Sequence, residues 1–219
     1  MPRLHSLARS LIGGALGLCV GCIPYSVGST AQTVPPGTHV MSTLVYGIPN
    51  GASLRDSASV PFVGVDGEMR IGVADDADAG VRIVSGSGIV LNYKKRIAGH
   101  AGEDSAAVAV MFGAGFVNLF EHAHFEASLL ASSAAHGPAV FYGGLRAMQV
   151  APLTPHAVHD TPTAGALFGV RLGNATEAVL PEIAVYYDHS ALGLRRGNII
   201  YVPSITLRGD LLRRVLRPF

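Results

Sequence analysis

The sequence predicts an all-β protein, an antiparallel up-and-down transmembrane β-barrel of about ten strands (eight to twelve). Three observations predict it. Successive segments alternate between apolar and other residues with period two, which is the pattern of a half-buried strand. Long and short connections alternate along the chain, as in membrane barrels. Charged residues make up only 14% of the chain, whereas soluble domains average about 25%.

The composition excludes several other classes of protein. The 219 residues suffice for one domain or one closed barrel. Hydrophobic residues reach 49%, yet no stretch after residue 30 is long and apolar enough for a membrane helix. The formal net charge is +1, so no nucleic-acid partner is expected.

The N-terminus has the features of an export signal. Arg3 and Arg9 precede the apolar run LIGGALGLCVGCI, which is too short to span a bilayer and matches a secretory signal. The stretch from Leu18 to Cys22 is similar to a bacterial lipobox, which predicts a signal peptide at 1–22 and lipidation of Cys22. The alternative is an ordinary signal at 1–31, cut after Ser29-Thr30-Ala31.

Beyond the signal, the sequence divides into a linker at 23–37, a barrel at 38–209 and a tail at 210–219. Both cysteines precede residue 23, so a disulfide framework in the barrel is excluded. The predicted strands are 38–47, 61–73, 79–86, 88–97, 105–116, 121–133, 138–150, 163–173, 178–188 and 197–208.

The alternation is clearest in the second predicted strand, VGVDGEMRIGV. Val65, Met69 and Ile71 lie on one face, opposite Asp66 and Glu68. A slip of one residue would exchange the two faces. The fourth, sixth, eighth and tenth strands alternate in the same way.

The connections support a meander with two different ends. The long ones are Ile48–Val60, Ala151–Pro162 and His189–Arg196, and all follow odd-numbered strands. They would therefore share one end of the barrel, as external loops do in outer-membrane barrels. An even strand number places both ends of the barrel sequence at the other end, where a lipid on Cys22 would reach the inner leaflet.

The composition of the two faces indicates which one meets lipid. The less apolar face holds many glycines and few Lys or Glu, which is unlike a soluble surface. Its charges have both signs, as expected inside a closed barrel where ions pair. The predicted polar network of the lumen consists of Asp66, Glu68, Arg70, Arg82, Lys94, Arg96, Glu126, Arg146, Arg171, Glu182 and Arg208.

With this pattern the chain resembles small outer-membrane β-barrel proteins of Gram-negative bacteria, including uncharacterised barrel lipoproteins. The resemblance covers about residues 36–209 and rests on the signal segment, the strand pattern and stretches such as GVRIVSGSGIVLNYKKRIAG and LPEIAVYYD. It implies export to the outer membrane and contact with its lipid. Phe219 is similar to the C-terminal aromatic residue with which such barrels engage the barrel assembly machinery.

Two groups of residues are candidates for chemistry. His122, His124 and Glu126 share one face of a strand and are a weak candidate for a zinc site. A hydrolase is a second possibility, with Ser128 beside His124 and Glu126, or Ser190 beside His189 and Asp188. The simpler interpretation of the first group is three polar lumen residues in an interaction network, and no cofactor is expected.

Three other motifs have simpler interpretations. His156, His159 and Asp160 lie in a long predicted loop between two prolines and are expected to be solvated. The stretch ADDADAG lacks the ligand spacing of a calcium loop and is expected to be a polar turn. GSG at 86–88 predicts a hairpin.

The expected function is a structural or surface-binding role for an outer-membrane barrel, with any recognition by the long loops. About ten strands and paired internal charges predict a narrow or plugged lumen without bulk pore activity. One alternative is a soluble, lipid-anchored periplasmic barrel that binds an apolar ligand in its core. The other is a membrane-embedded lipid hydrolase.

Overall fold

The computed structural model describes residues 23–49, 62–102, 105–155, 162–187, 199–209 and 211. Ten antiparallel strands form a closed barrel in meander order, and β1 pairs with β10 to complete it. The strands are β1 His39–Ile48, β2 Phe62–Ala74, β3 Ala77–Val84, β4 Gly88–Gly99, β5 Ala107–Val117, β6 His122–Ser132, β7 Ala139–Pro152, β8 Thr163–Gly173, β9 Ala178–Tyr187 and β10 Ile199–Arg208. Among the described residues, no helix is long and apolar enough to cross a membrane.

The fold class and the strand number predicted from the sequence are confirmed. Ten strands were expected, and the ten observed strands match them closely in position. The largest shift is in β3, expected at 79–86 and observed at Ala77–Val84. The alternation correctly predicted which residues face outward and which face inward. A shift of one residue in register would have exchanged the apolar and polar sets.

The closing pair of strands shows how the meander becomes a barrel. β1 runs antiparallel to β10, with Ser42 opposite Arg208 and Tyr46 opposite Ser204. Closure leaves no open strand edge, so every neighbouring pair of strands exchanges backbone hydrogen bonds. Small irregularities lie in β2 between Gly72 and Ala74 and in β4 between Arg96 and Ala98.

The two ends of the barrel differ as the sequence predicted. Strands β1, β7 and β9 end at the same end of the barrel, at Ile48, Pro152 and Tyr187, and we call it the long-loop end. The turns 75–76 and 174–177 lie at the opposite, short-turn end. GSG is part of a tight hairpin, in which Gly86 has a φ of 70° and Ser87 donates its N–H to the Val84 carbonyl across 2.7 Å.

The outward face of the barrel is almost entirely apolar. Val63, Leu91 and Phe168 are between 55% and 59% exposed. Within the ten described strands, Lys95 is the single Asp, Glu, Lys or Arg residue that faces outward, and its Nζ lies 3.7 Å from Asp76 near the short-turn end. A soluble surface carries about 25–35% charged residues, so this face is suited to lipid.

Candidate functional site: the barrel interior and its inner segment

The interior of the barrel holds the charges that the outward face lacks. All eleven residues of the predicted polar network lie inside, and Arg96, the most exposed of them, is only 9% exposed. Asp78 joins them with 0% exposure. The soluble alternative required an apolar interior, whereas this interior combines ion pairs with apolar side chains.

One cluster of ions connects β2, β3 and β4. Arg70 donates to Glu68 across 2.9 Å and to Asp78 from Nε across 2.9 Å. Glu68 also pairs with Arg82 at 3.3 Å, and Lys94 Nζ lies 3.4 Å from Asp78. Each carboxylate therefore touches two cations, as buried ions require if they are to remain charged.

A second cluster lies on β6 and β7. Glu126 accepts from Arg146, and its other neighbour is the His124 ring, whose Nε2 lies 3.1 Å from Glu126 Oε2. Arg146 also lies 3.5 Å from the Tyr186 hydroxyl on β9. This cluster connects β6, β7 and β9.

Residues 23–34, which precede β1, also lie inside the barrel. We call residues 23–34 the inner segment. Residues 23–31 are all buried, and Val27 and Ala31 are 0% exposed. The sequence assigned 23–37 to a linker. Over 23–34 this stretch instead contacts inward-facing side chains of β1, β3, β4, β9 and β10. Its sequence has no strand alternation and therefore did not indicate these contacts.

Glu182 on β9 binds the middle of the inner segment. Its carboxylate accepts the backbone N–H groups of Val27 and Gly28, each across 3.0 Å, and the Ser26 hydroxyl across 3.2 Å. The Tyr142 hydroxyl donates to the same carboxylate across 3.1 Å. Four donors thus converge on one buried acid.

Two cationic side chains, on β3 and β4, bind carbonyl groups of the inner segment. Arg82 donates to the Ser26 carbonyl across 2.7 Å and to the Val27 carbonyl across 3.0 Å. Lys94 donates to the Thr30 carbonyl across 3.1 Å and to the Gln32 carbonyl across 2.7 Å. The segment is therefore held mainly through its backbone.

The direction of the inner segment follows from its contacts. Tyr46, near the long-loop end of β1, donates to the Ile23 carbonyl across 3.1 Å, and Tyr186 donates to the Tyr25 carbonyl across 2.6 Å. Val34 N–H donates to Asp78 across 2.9 Å, beside the short turn 75–76. The segment runs from the long-loop half at Ile23 to the short-turn end at Val34, so Ile23 does not lie at the short-turn end, where the sequence predicted that the mature chain begins.

Close packing fixes the inner segment at Gly28 and the chain directly after it at Pro35. Gly28 has a φ of 59°, and a Cβ added there would lie 2.2 Å from Thr206 Oγ1. Gly72 on β2 faces Pro35, and its added Cβ would lie 2.0 Å from the Pro35 carbonyl oxygen. A parallel bridge joins Pro36 to Gly72 where the segment leaves the barrel. Only glycine fits at either position without displacing backbone or wall.

The candidate metal residues and the hydrolase group of Ser128, His124 and Glu126 do not assemble into those sites. His122 pairs with Asn118 at 3.0 Å, while His124 pairs with Glu126. No group of three or more His, Cys, Asp or Glu side chains among the described residues is arranged to hold a metal ion. Ser128 and His124 are four residues apart on β6, about 13 Å along a strand, too far for a nucleophile–base hydrogen bond.

Several predicted features lie outside the described residues. These are the signal segment with Cys22, the loop residues His156, His159 and Asp160, the candidates Asp188, His189 and Ser190, and the tail with Phe219.

The sequence interpretation missed some residues that matter in the interior. Asp78 was assigned to the polar turn ADDADAG, but it is the second residue of β3 and pairs with Arg70 and Lys94. Its parity with Arg82 was the available signal. Tyr46, Tyr142 and Tyr186 also face inward and contact the inner segment or Glu182, and only their parity in the strands indicated it.

Comparison with solved structures identifies the architecture. The COG4313 outer membrane channel from Pseudomonas putida F1 aligns over 84% of this chain and 100% of its own, with a TM-score of 0.50 at 7% identity. The chain has the fold of Gram-negative outer-membrane β-barrel proteins. Neisserial surface protein A aligns over 79% of this chain and 96% of its own, with a TM-score of 0.38 at 13% identity. No protein-family model matches the sequence, and no curated protein matches it.

Proposed function

We propose that this protein is an outer-membrane barrel of a Gram-negative bacterium whose lumen is closed to bulk solutes by its own inner segment. Its role is then structural or surface-binding, with recognition by the long loops. Outer-membrane lipid and the barrel assembly machinery are its proposed partners. The observation that carries the proposal is the burial of residues 23–31 among the inward-facing charges of the barrel.

Membrane location is supported by the distribution of charge. Twelve buried Asp, Glu, Lys and Arg residues lie in the interior, while Lys95 alone of these types faces outward on the described strands. In water the reverse arrangement is favoured, because ionised groups lose hydration when buried. In lipid an apolar exterior and a polar interior are the stable combination.

Closure of the lumen is supported by the partners of the inner segment. Glu182 and Arg82 lie on different strands and hold opposite sides of the backbone between Ser26 and Gly28. A solute passing through the barrel would have to break these hydrogen bonds. Ten strands enclose too little space for both a peptide segment and a wide aqueous path.

A gated channel is a second candidate. The aligned Pseudomonas protein is described as a channel, and one feature here favours mobility of the inner segment. Among the described residues, no β-bridge joins residues 23–34 to a strand, and the first bridge along the chain is the one from Pro36 to Gly72. Displacing residues 23–34 would therefore break no strand pairing.

Conductance in planar lipid bilayers distinguishes the two candidates. Ser26 Oγ lies 3.0 Å from Ser204 Oγ on β10, so the variant S26C/S204C offers a disulfide that locks the segment in place. We expect no steady conductance from the native chain. Openings that disappear in the oxidised variant would support the gated channel. Steady conductance from both proteins would overturn closure by the inner segment.

A further inference from the structure

The sequence alone left two positions for the export cut, one before Cys22 and one after Ala31. The two cuts have different consequences for the barrel. A cut before Cys22 leaves the whole inner segment in the mature protein. A cut after Ala31 removes residues 23–31, which are all buried inside the barrel.

We propose that export processing cuts this chain before Ile23, so that residues 23–31 remain in the mature protein as a built part of its interior. The inference concerns a processing site and goes beyond the proposed function. The bond between Gly21 and Cys22 is the position that the lipobox-like stretch offers, and Cys22 would then be the first residue.

A cut after Ala31 would remove hydrogen-bond partners from three buried charged side chains. Glu182 would lose the N–H groups of Val27 and Gly28 together with the Ser26 hydroxyl. Arg82 would lose both carbonyl oxygens that it binds, and Lys94 would lose the Ser29 hydroxyl and the Thr30 carbonyl. Buried charged groups are seldom left without such partners.

Individual residues between 23 and 31 fit closely inside the folded barrel. Gly28 adopts a φ of 59° and lies so close to Leu44 and Thr206 that a Cβ would reach 2.8 Å from the first and 2.2 Å from the second. The Tyr25 ring lies 5.7 Å from the Tyr186 ring, tilted by 56°. Residues of a signal peptide that is removed are not expected to pack so closely against the folded barrel.

The length of the inner segment also favours a cut before Ile23. Residues 23–34 pass from the long-loop half, at Tyr46 and Tyr186, to the short-turn end at Asp78. Residues 32–34 form their hydrogen bonds toward the short-turn end, with Asp75, Asp78, Lys94, Arg96 and Ser105. A cut after Ala31 would therefore leave the long-loop half of the interior without residues 23–31.

The test is the intact mass and N-terminal sequence of the native protein, expressed with its own leader and extracted from outer membranes. We expect a first residue at Ile23 or earlier. Cys22 with or without a diacylglyceryl group meets this expectation, because both forms retain the segment. A first residue at any position from Pro24 to Gln32 would overturn the proposal.

The outcome is independent of the conductance experiment. A retained segment in a conducting barrel would overturn closure of the lumen and leave the processing site intact. A mature chain that begins at Gln32 would overturn the processing site directly, whatever the conductance. To exclude proteolysis during purification, the mass is compared with that of protein extracted directly from cells into denaturant.

Discussion

Arg82 Nη1 donates to the backbone carbonyl oxygen of Ser26 across 2.7 Å, so a strand in the barrel wall binds a peptide group that precedes the barrel in the chain. The same guanidinium lies 3.3 Å from Glu68. One cation thereby links the wall network to the inner segment.

Glu182 is expected to anchor the inner segment. In E182Q the negative charge is lost, and a single amide oxygen replaces two carboxylate oxygens that accept from Val27 and Gly28. Hydrogen bonds to charged groups contribute about 1.5–3 kcal/mol each, so we expect the free energy of unfolding to fall by about that amount. Urea unfolding in lipid vesicles measures it. The exposed Glu121 provides the control E121Q, and equal stability of both variants would contradict the anchoring role.

The pair of Glu126 and Arg146 is expected to behave as a buried ion pair. E126A leaves the Arg146 guanidinium, which is 2% exposed, without its acid, and breaking such a pair costs about 3–5 kcal/mol. Replacing both partners in E126L/R146M should recover most of that loss, because no charge remains unpaired. Unfolding in urea tests both variants, and a double variant less stable than E126A would refute this explanation.

Outward residues near mid-strand are expected to contact lipid. Leu91 on β4 is 59% exposed, and an arginine on the lipid face near the midplane costs about 2–4 kcal/mol. L91R should therefore reduce stability in vesicles by that amount. Leu119, 75% exposed in the turn after β5, is the control, and L119R should cost about 0–1 kcal/mol. A cost for L91R within about 0.5 kcal/mol of zero would indicate a water-exposed face.

Gly28 is expected to tolerate no side chain. G28A combines an unfavourable positive φ with a clash against Thr206 Oγ1. Gly37 has a φ of 71° but nothing within 4 Å of an added Cβ, so G37A carries the backbone strain alone. We expect G28A to be less stable than G37A by about 1–3 kcal/mol, the usual cost of overpacking. Similar unfolding midpoints would mean that residue 28 does not occupy its lumen position.

Much of this fold could be predicted because a barrel wall separates two environments. In β2, Val65 and Met69 face outward while Asp66 and Glu68 face inward, and the sequence records that difference with period two. Asp78 was missed because strand β3 begins directly after a two-residue turn. The acidic residues Asp75, Asp76 and Asp78 span the turn and the first two residues of β3, so side-chain chemistry alone does not show where the turn ends.

The inner segment could not be predicted for a different physical reason. Its principal contacts use the N–H groups of Val27 and Gly28 and the carbonyl groups of Ser26 and Thr30. Almost every residue carries these backbone groups, so such binding leaves little pattern in the sequence. The wall residues that bind them were identified, but their partners were expected to be one another.

Disulfide formation between positions 26 and 204 tests the central claim, occupation of the lumen by the inner segment, most directly. S26C/S204C is oxidised in outer membranes, and peptides joined through these two positions are quantified by mass spectrometry. S26C/S132C is the control, since Ser132 is buried on β6 but its hydroxyl has no partner among the described residues. We predict near-complete crosslinking of S26C/S204C and little of the control. Free thiols at both positions in a folded barrel would contradict the claim.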